Sequence, residues 1–187
     1  MTSVLDKKKG LDFQNALLHL SKEDRILNKV IKEIKPKEPD KRKPNFEALV
    51  RIISGQQLSS AAASTIFSRL KHLFENKEIT PSQIKKTESE AILKCGLSKA
   101  KTIYIQNLAE FFLEKPEFLN ELKAKDSDEL IESLKKIKGI GIWSASIFAL
   151  FYLNHPDVFA WGDVTIKKTI RLLYKEKNID DQKINKI

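Results

Sequence analysis

The chain has 187 residues, and its 41% of hydrophobic residues suffices for the core of one domain, or of one domain with two lobes. Lysine and arginine number 34 against 25 acidic residues, and the net charge of +9 favours a polyanionic partner, although a lysine-biased genome gives the same balance. One cysteine excludes an internal disulfide and a four-cysteine iron–sulfur cluster. Without a membrane-length apolar run or a signal peptide, we expect an intracellular protein.

Apolar residues recur at helical spacing along most of the chain, which predicts an all-α protein. Residues 21–24 place a cap before a helix of modest length. Residues 35–44 are rich in lysine and contain three prolines, which rule out a continuous helix there. We therefore assign residues 1–44 to N-terminal helices and a connector, and residues 45–187 to the core.

Two adjacent glutamines, Gln56 and Gln57, stand between two predicted helices. The first of these helices ends near Gly55, and Ser59 or Ser60 caps the second. Polar amides in such a loop can hydrogen-bond base edges or fill the space left by a displaced base. A solvated loop explains the local sequence equally well.

Further helix starts follow along the chain. Thr80 and Pro81 form a cap with proline at the first helical position. Residues 87–90 have the pattern of a capping box, which opens a short helix. A long helix starts around Ser98, and residues 126–127 cap the helix that leads into the next turn.

A two-glycine turn lies within the helical segment 130–152. Gly139 and Gly141 flank Ile140, and glycine permits positive φ and close approach of another backbone. The second helix begins just after Gly141, so its first N–H groups and the positive end of its dipole can hold a phosphate. Positive charge beside the turn comes from Lys135, Lys136 and Lys138. The alternative is a helix–helix connection that happens to use two glycines.

This turn and the segment after it resemble the helix-hairpin-helix DNA glycosylase superfamily, above all its 3-methyladenine-DNA glycosylase II branch. The similarity is carried by Gly139-Ile-Gly-x-Trp-Ser-Ala145 and by Phe159-x-x-Gly-Asp163-x-x-Ile-Lys-Lys168. It extends, more weakly, over residues 46–174. The resemblance implies a two-lobed helix-hairpin-helix glycosylase core with the active-site cleft between the lobes.

The resemblance also implies how DNA is held. Gln57 takes the position that inserts into the duplex, with Gln56 beside it. The hairpin contacts DNA through Lys138, Gly139, Ile140, Gly141 and Ser144. A structural monovalent cation is held by the backbone carbonyls of Lys135, Ile137 and Ile140, and no other cofactor is expected. Lys99 and Lys101, in another family-like segment, are weaker candidates for phosphate contacts.

Asp163, in the segment 157–168, is the candidate catalytic residue. Cleavage of an N-glycosidic bond builds positive charge on the sugar, which a fixed carboxylate stabilises. An aspartate at a helix start stays ionised, as this role requires. It could serve only as a helix cap. Its Gly-Asp context after a hairpin favours catalysis, with which capping is compatible.

Trp143 bears on the type of reaction. Relatives that also cleave the DNA backbone carry at this position a lysine that forms a Schiff base with the sugar, whereas tryptophan has no amine. Trp143 and Trp161 are candidates for a pocket that stacks on a cationic alkylated base, and the alternative for each is a core residue.

We therefore predict a monofunctional glycosylase of base excision repair. It would be a monomer that removes alkylated bases such as 3-methyladenine from damaged double-stranded DNA, without membrane contact and without lyase activity. Its place would be the cytoplasm and nucleoid, or the nucleus in a eukaryote. The alternatives are a glycosylase for an oxidised purine, uracil or a mismatch, or a non-catalytic DNA-binding module. The family pattern has a final helix beyond Ile187, so these residues leave the closing wall of the base pocket undefined.

Overall fold

The computed structural model describes residues 13–40, 42–155, 158–160 and 162–175. Its helices, in chain order, are α1 Phe13–Glu23, α2 Arg25–Ile34, α3 Phe46–Gly55, α4 Ser60–Lys71, α5 Pro81–Lys86, α6 Ser89–Lys94, α7 Lys99–Glu114, α8 Phe118–Leu122, α9 Ser127–Lys135, α10 Ile142–Phe151 and α11 Val164–Tyr174. Over the described ranges there is no β-strand, and no helix combines the length and apolar character needed to cross a bilayer. The expected all-α fold is confirmed.

Capping hydrogen bonds explain where most of these helices begin. Side-chain oxygens of Ser59, Thr80, Ser98 and Asp126 each accept a backbone N–H from the first turn of the helix that follows. These helix starts are as predicted. Residues 1–44 were expected to contain N-terminal helices, but no start was assigned to α1, which packs against α2.

The capping box expected at residues 87–90 is wrong. Helix α6 begins after Glu88 without a side-chain cap. The hydroxyl of Thr87 instead donates to the carbonyl of Gln83 at 2.8 Å. Because α5 ends only at Lys86, Thr87 closes that helix and its hydroxyl is directed backwards along the chain.

Helix α3 lies at the centre of the core, in contact with α4, α7 and α10. Its residues Leu49, Val50 and Ile53 are fully buried. At the C-terminal end of α3, Gln56 is bonded to Ser144 in the first turn of α10. At its N-terminal end, the residues before and within α3 line a groove together with Tyr152, which follows α10. The helices α3 and α10 are therefore antiparallel, with two distinct ends.

A second, smaller group consists of α1, α2 and α11. None of the three helices contains a buried residue. The hydroxyl of Tyr174, at the end of α11, donates to Asp24 before α2 at 2.6 Å. At its other end α11 begins after Asp163, which is bonded to Trp143 of α10. Asp163 thus lies where the small group meets the core.

Candidate active site

The turn between α9 and α10 is tight because Gly139 allows it. Gly139 has φ +96°, a region that side chains rarely adopt. A Cβ at this position would lie 2.4 Å from Cγ of Tyr104, on α7. Ile137 and Ile140, on either side, are buried and anchor the turn to the core. Glycine is required here both by the backbone conformation and by the packed ring.

The second glycine of the turn has a different role. Gly141 is extended, with φ −90° and ψ −179°, which any residue adopts, and a Cβ there would meet nothing within 4 Å. It precedes α10, and no side chain among the described residues caps that helix. The first N–H groups of α10 therefore have no side-chain acceptor there and lie at the positive end of the helix dipole, the arrangement that holds a phosphate.

Gln56 is directed towards the hairpin. Its side-chain Nε2 donates to the carbonyl of Gly139 at 2.8 Å and to Oγ of Ser144 at 2.9 Å. The side chain is partly buried, and it ties the loop after α3 to both sides of the turn. Its amide nitrogen is thereby committed to the protein, so the structure gives Gln56 a bracing function.

Lys101 holds the same loop from the other side. Its Nζ donates to the carbonyl of Ser54 at 3.0 Å and to that of Gln56 at 2.6 Å. Burial lowers the pKa of this ammonium group. Lys101 was a weaker candidate for a phosphate contact, and the structure instead uses its charge on the last carbonyls of α3. Lys99, two residues earlier, is exposed.

Gln57 is presented outwards. It is exposed and has φ +56°, a left-handed conformation that is uncommon for a residue with a Cβ and costs roughly 1 kcal/mol or more. Leu58 beside it is 41% exposed. With Gln56 held to the hairpin and Lys101 gripping the carbonyls before it, the loop lifts Gln57 away from the core.

Asp163 combines a helix cap with a second partner. Its Oδ1 accepts the N–H groups of Thr165 at 2.8 Å and Ile166 at 3.0 Å, and its Oδ2 accepts the indole N–H of Trp143 at 2.8 Å. The hydrogen bond from Trp143, opposed by partial burial and reinforced by the backbone bonds, lowers the pKa of this carboxyl. Asp163 is therefore ionised at neutral pH.

Trp143 lies half-buried between core and surface, packed against the hydrophobic cluster. Gly162 passes close to it, since a Cβ on Gly162 would lie 3.4 Å from Cβ of Trp143. The indole therefore both supports the chain that carries Asp163 and donates to its carboxylate. Trp161, the other candidate for the base pocket, lies outside the described residues.

The hairpin residues predicted to contact DNA differ in what they expose. The side chains of Ile140 and Ser144 are buried, and Ser144 Oγ accepts from Gln56. The N–H of Ile140 donates to the carbonyl of Ile137 at 3.0 Å, so of these two residues it is Ser144 that offers a backbone N–H to a phosphate. Lys138 is exposed. Lys135 pairs with Glu132 at 2.6 Å, a surface contact that leaves its backbone carbonyl unaffected.

Three structural contributors have no sequence signal that identifies them. Tyr104 shapes the turn from α7, Lys101 clamps the glutamine loop, and Tyr174 joins α11 to Asp24. Each acts on a residue far away in the chain, so no local sequence pattern predicts it.

Two cavities lie elsewhere on the surface. One, of about 430 Å³, is lined by residues of and next to α4 and α6, and the other, of about 420 Å³, by residues at the start of α3. Asp163 lines neither cavity.

Residues 50–187 match a family described as HhH-GPD superfamily base excision DNA repair protein. DNA-3-methyladenine glycosylase 1 of Schizosaccharomyces pombe is 31% identical over 182 residues, covering 94% of this chain and 80% of the relative. Escherichia coli DNA-3-methyladenine glycosylase 2 is 28% identical over 66% of this chain and 46% of its own length. The structure of the Schizosaccharomyces pombe 3-methyladenine DNA glycosylase in complex with abasic DNA superposes with TM-score 0.80 at 31% identity, covering 89% of this chain and 83% of that one. The chain therefore belongs to the HhH-GPD superfamily of base excision DNA repair proteins.

Proposed function

We propose that this chain is a monofunctional DNA glycosylase that removes alkylated bases such as 3-methyladenine and leaves an abasic site. The observation that carries this proposal is the ionised carboxylate of Asp163, fixed by Trp143 beside a hairpin whose second helix has an uncapped start. The relatives named as 3-methyladenine glycosylases support the substrate class. An assignment to the type II branch in particular rests on the sequence resemblance.

Binding begins at the hairpin. The first N–H groups of α10, beyond Gly141, receive a backbone phosphate, and the exposed Lys136 and Lys138 add positive charge. Such contacts fix the position of the duplex without reading its sequence. Gln57, raised on its braced loop, then occupies the space left in the base stack when the damaged nucleotide rotates outwards.

Asp163 acts on the sugar of the displaced nucleotide. As the bond between C1′ and the base nitrogen breaks, its electron pair leaves with the base, and positive charge develops on C1′ and the ring oxygen. The carboxylate stabilises this charge, and water adds to C1′ and releases a proton. A cationic alkylated base departs as a neutral molecule, so little acid assistance is required. The bond from Trp143 lowers the pKa of the carboxyl group and holds the carboxylate in place.

The absence of lyase activity is the second part of this proposal. Trp143 occupies the position at which backbone-cleaving relatives carry the Schiff-base lysine, and its only nitrogen donates to Asp163 at 2.8 Å. An indole nitrogen has no basic lone pair with which to attack C1′. The product is then an intact strand with an abasic site.

The backbone carbonyl oxygens of the hairpin are suitable ligands for a structural cation. The carbonyl of Ile137 accepts the N–H of Ile140 at 3.0 Å and retains a second lone pair. Neutral carbonyls of this kind suit a monovalent ion, and Lys135, Ile137 and Ile140 would supply them. When bound, the ion would stiffen the turn that faces the phosphate, and it takes no part in the chemistry.

The decisive experiment is identification of the released base. We expect the full chain, incubated with methylated duplex DNA, to release 3-methyladenine, detected by mass spectrometry, and to leave sites that break only on alkali treatment. Borohydride should trap no protein–DNA adduct. Release only from DNA containing 8-oxoguanine or uracil would assign another lesion. Binding without release of any base would reduce the protein to a DNA-binding module.

A further inference from the structure

A groove of about 420 Å³ lies at the N-terminal end of α3, and we call it the basic groove. Its lining includes Arg42 and Lys43 of the connector, Arg51 of α3, Phe67 of α4 and Tyr152 after α10. We propose that the basic groove binds an acidic peptide segment of a partner protein. The proposal concerns a surface other than the one that Asp163 and the hairpin occupy.

The two arginines of the groove are held by aromatic rings. The guanidinium carbon of Arg51 lies 4.9 Å from the ring centroid of Phe67. That of Arg42 lies 5.6 Å from the ring centroid of Phe151 and 5.7 Å from that of Tyr152. A guanidinium stacked on a ring keeps its N–H groups at the edge, where they can bind a carboxylate in bidentate fashion.

The positive charge of the groove is not neutralised within the described residues. None of Arg42, Lys43 and Arg51 forms an ion pair there. Glu47, the acidic residue of the lining, is engaged elsewhere: its Oε1 accepts from Lys71 at 3.0 Å, and its Oε2 accepts the N–H of Ile79 at 3.1 Å. Ordered cations without acidic partners complement an anionic ligand.

The groove is separate from the hairpin that is proposed to receive the DNA backbone. The hairpin binds Gln56 at one end of the α3–α10 pair, and the groove lies at the other end. Helix α10 has 10 residues, which places the two ends about 15 Å apart. A concave site of this volume accommodates a few side chains. A partner could therefore be bound while the hairpin holds damaged DNA.

The test uses the full chain and two fluorescein-labelled peptides, one of alternating glutamate and phenylalanine and one of alternating glutamine and phenylalanine. Fluorescence anisotropy should show binding of the glutamate peptide only. The double variant R42Q/R51Q should bind it about a hundredfold more weakly, at about tenfold for each lost charge-assisted contact. Its rate of base release from methylated DNA should equal that of the wild type.

The matched control is K86Q/K123Q, which removes the same charge from exposed lysines outside the groove and should bind the glutamate peptide normally. Because Arg42 and Arg51 stack on buried rings, K43E offers a variant that leaves these contacts intact and should still weaken binding several-fold. Equal binding of both peptides, or unchanged affinity in K43E and the double variant, overturns the proposal. Displacement of the peptide by duplex DNA would assign the groove to DNA and also overturn it.

Discussion

Asp24 and Asp163 make the same hydrogen bonds at opposite ends of α11. Each is the N-cap of a helix, and each accepts two backbone N–H groups through Oδ1. Each accepts an aromatic donor through Oδ2: Tyr174 at 2.6 Å for Asp24, and Trp143 at 2.8 Å for Asp163. In both cases the aromatic donor is the largest cause that lowers the carboxyl pKa.

The comparison teaches that hydrogen-bond pattern alone does not identify a catalytic acid. Asp24 joins α2 to the end of α11, within helices that contain no buried residue. Asp163 follows Gly162, close to Trp143 and to a helix start that no side chain caps. These surroundings support the proposed catalytic role of Asp163, and Asp24 serves as its internal control.

The largest expected effect is that of D163N. Asparagine also caps helices, so the fold should persist, but the negative charge facing the sugar is lost. We expect base release under single-turnover conditions to fall about a hundredfold to a thousandfold, with affinity for damaged DNA retained. D24N makes the same change at the structural site and should excise normally. Near-normal excision by D163N would remove Asp163 from the mechanism.

The next largest effects are expected for substitutions of the hairpin glycines, since the hairpin lies near Asp163 and not near Asp24. G139A places a Cβ against Tyr104 at positive φ and should lower the free energy of unfolding by about 2 to 4 kcal/mol, measured by urea denaturation. G141A enters open space and should change this free energy by less than about 0.5 kcal/mol. Its methyl group should nevertheless weaken DNA binding several-fold. Wild-type DNA affinity in G141A would argue against the helix start as the phosphate site.

A smaller effect is expected when the aromatic partner of each aspartate is replaced, and it should differ between Trp143, which binds Asp163, and Tyr174, which binds Asp24. The Trp143 bond lowers the pKa of Asp163, so W143F should raise it, and the carboxylate should become protonated at higher pH. The acid limb of the pH–rate profile should therefore move to higher pH. The rate at neutral pH should fall about tenfold for a different reason, because the carboxylate loses the hydrogen bond that holds it in place. Y174F removes the matching bond from Asp24 and should lower stability without moving the profile. An unmoved limb in W143F would assign Trp143 to packing alone.

The smallest effect is expected for a substitution in the support of the loop that presents Gln57. This loop has no equivalent near Asp24 among the described residues. K101M removes the donor to the carbonyls of Ser54 and Gln56, and should cost about 1 to 3 kcal/mol of stability because these acceptors lose their charged partner. Fluorescence of 2-aminopurine beside the lesion should report less nucleotide rotation. K99M, at an exposed lysine, is the control. Equal stability of the two variants would contradict the bracing role of Lys101.

Local patterns predicted a large share of this protein. Helix periodicity and caps depend on residues a few positions apart. They located α3 and its end, and they located α4, α5, α7 and α9 together with their starts. The two-glycine turn and the Gly-Asp segment are equally local, and the resemblance to the family rests on them. The prediction of a capping box at residues 87–90 was wrong because Thr87 lies between two helices. Its hydroxyl donates to the carbonyl of Gln83 in the earlier helix, not to the start of the later one.

Long-range contacts decided the rest. The sequence treated both hairpin glycines alike, yet only Gly139 is required by its conformation and by Tyr104, which is 35 positions away (139 − 104). Gln56 and Lys101 were both candidates for contacts with DNA, and only the fold shows which protein groups they bind. The side-chain nitrogen of Gln56 donates to the carbonyl of Gly139 and to Ser144, whereas Lys101 donates to the carbonyls of Ser54 and Gln56 at the end of α3. Residue types and spacing determine which groups are available, whereas only the packed fold determines whether each one faces its own chain or the nucleic acid.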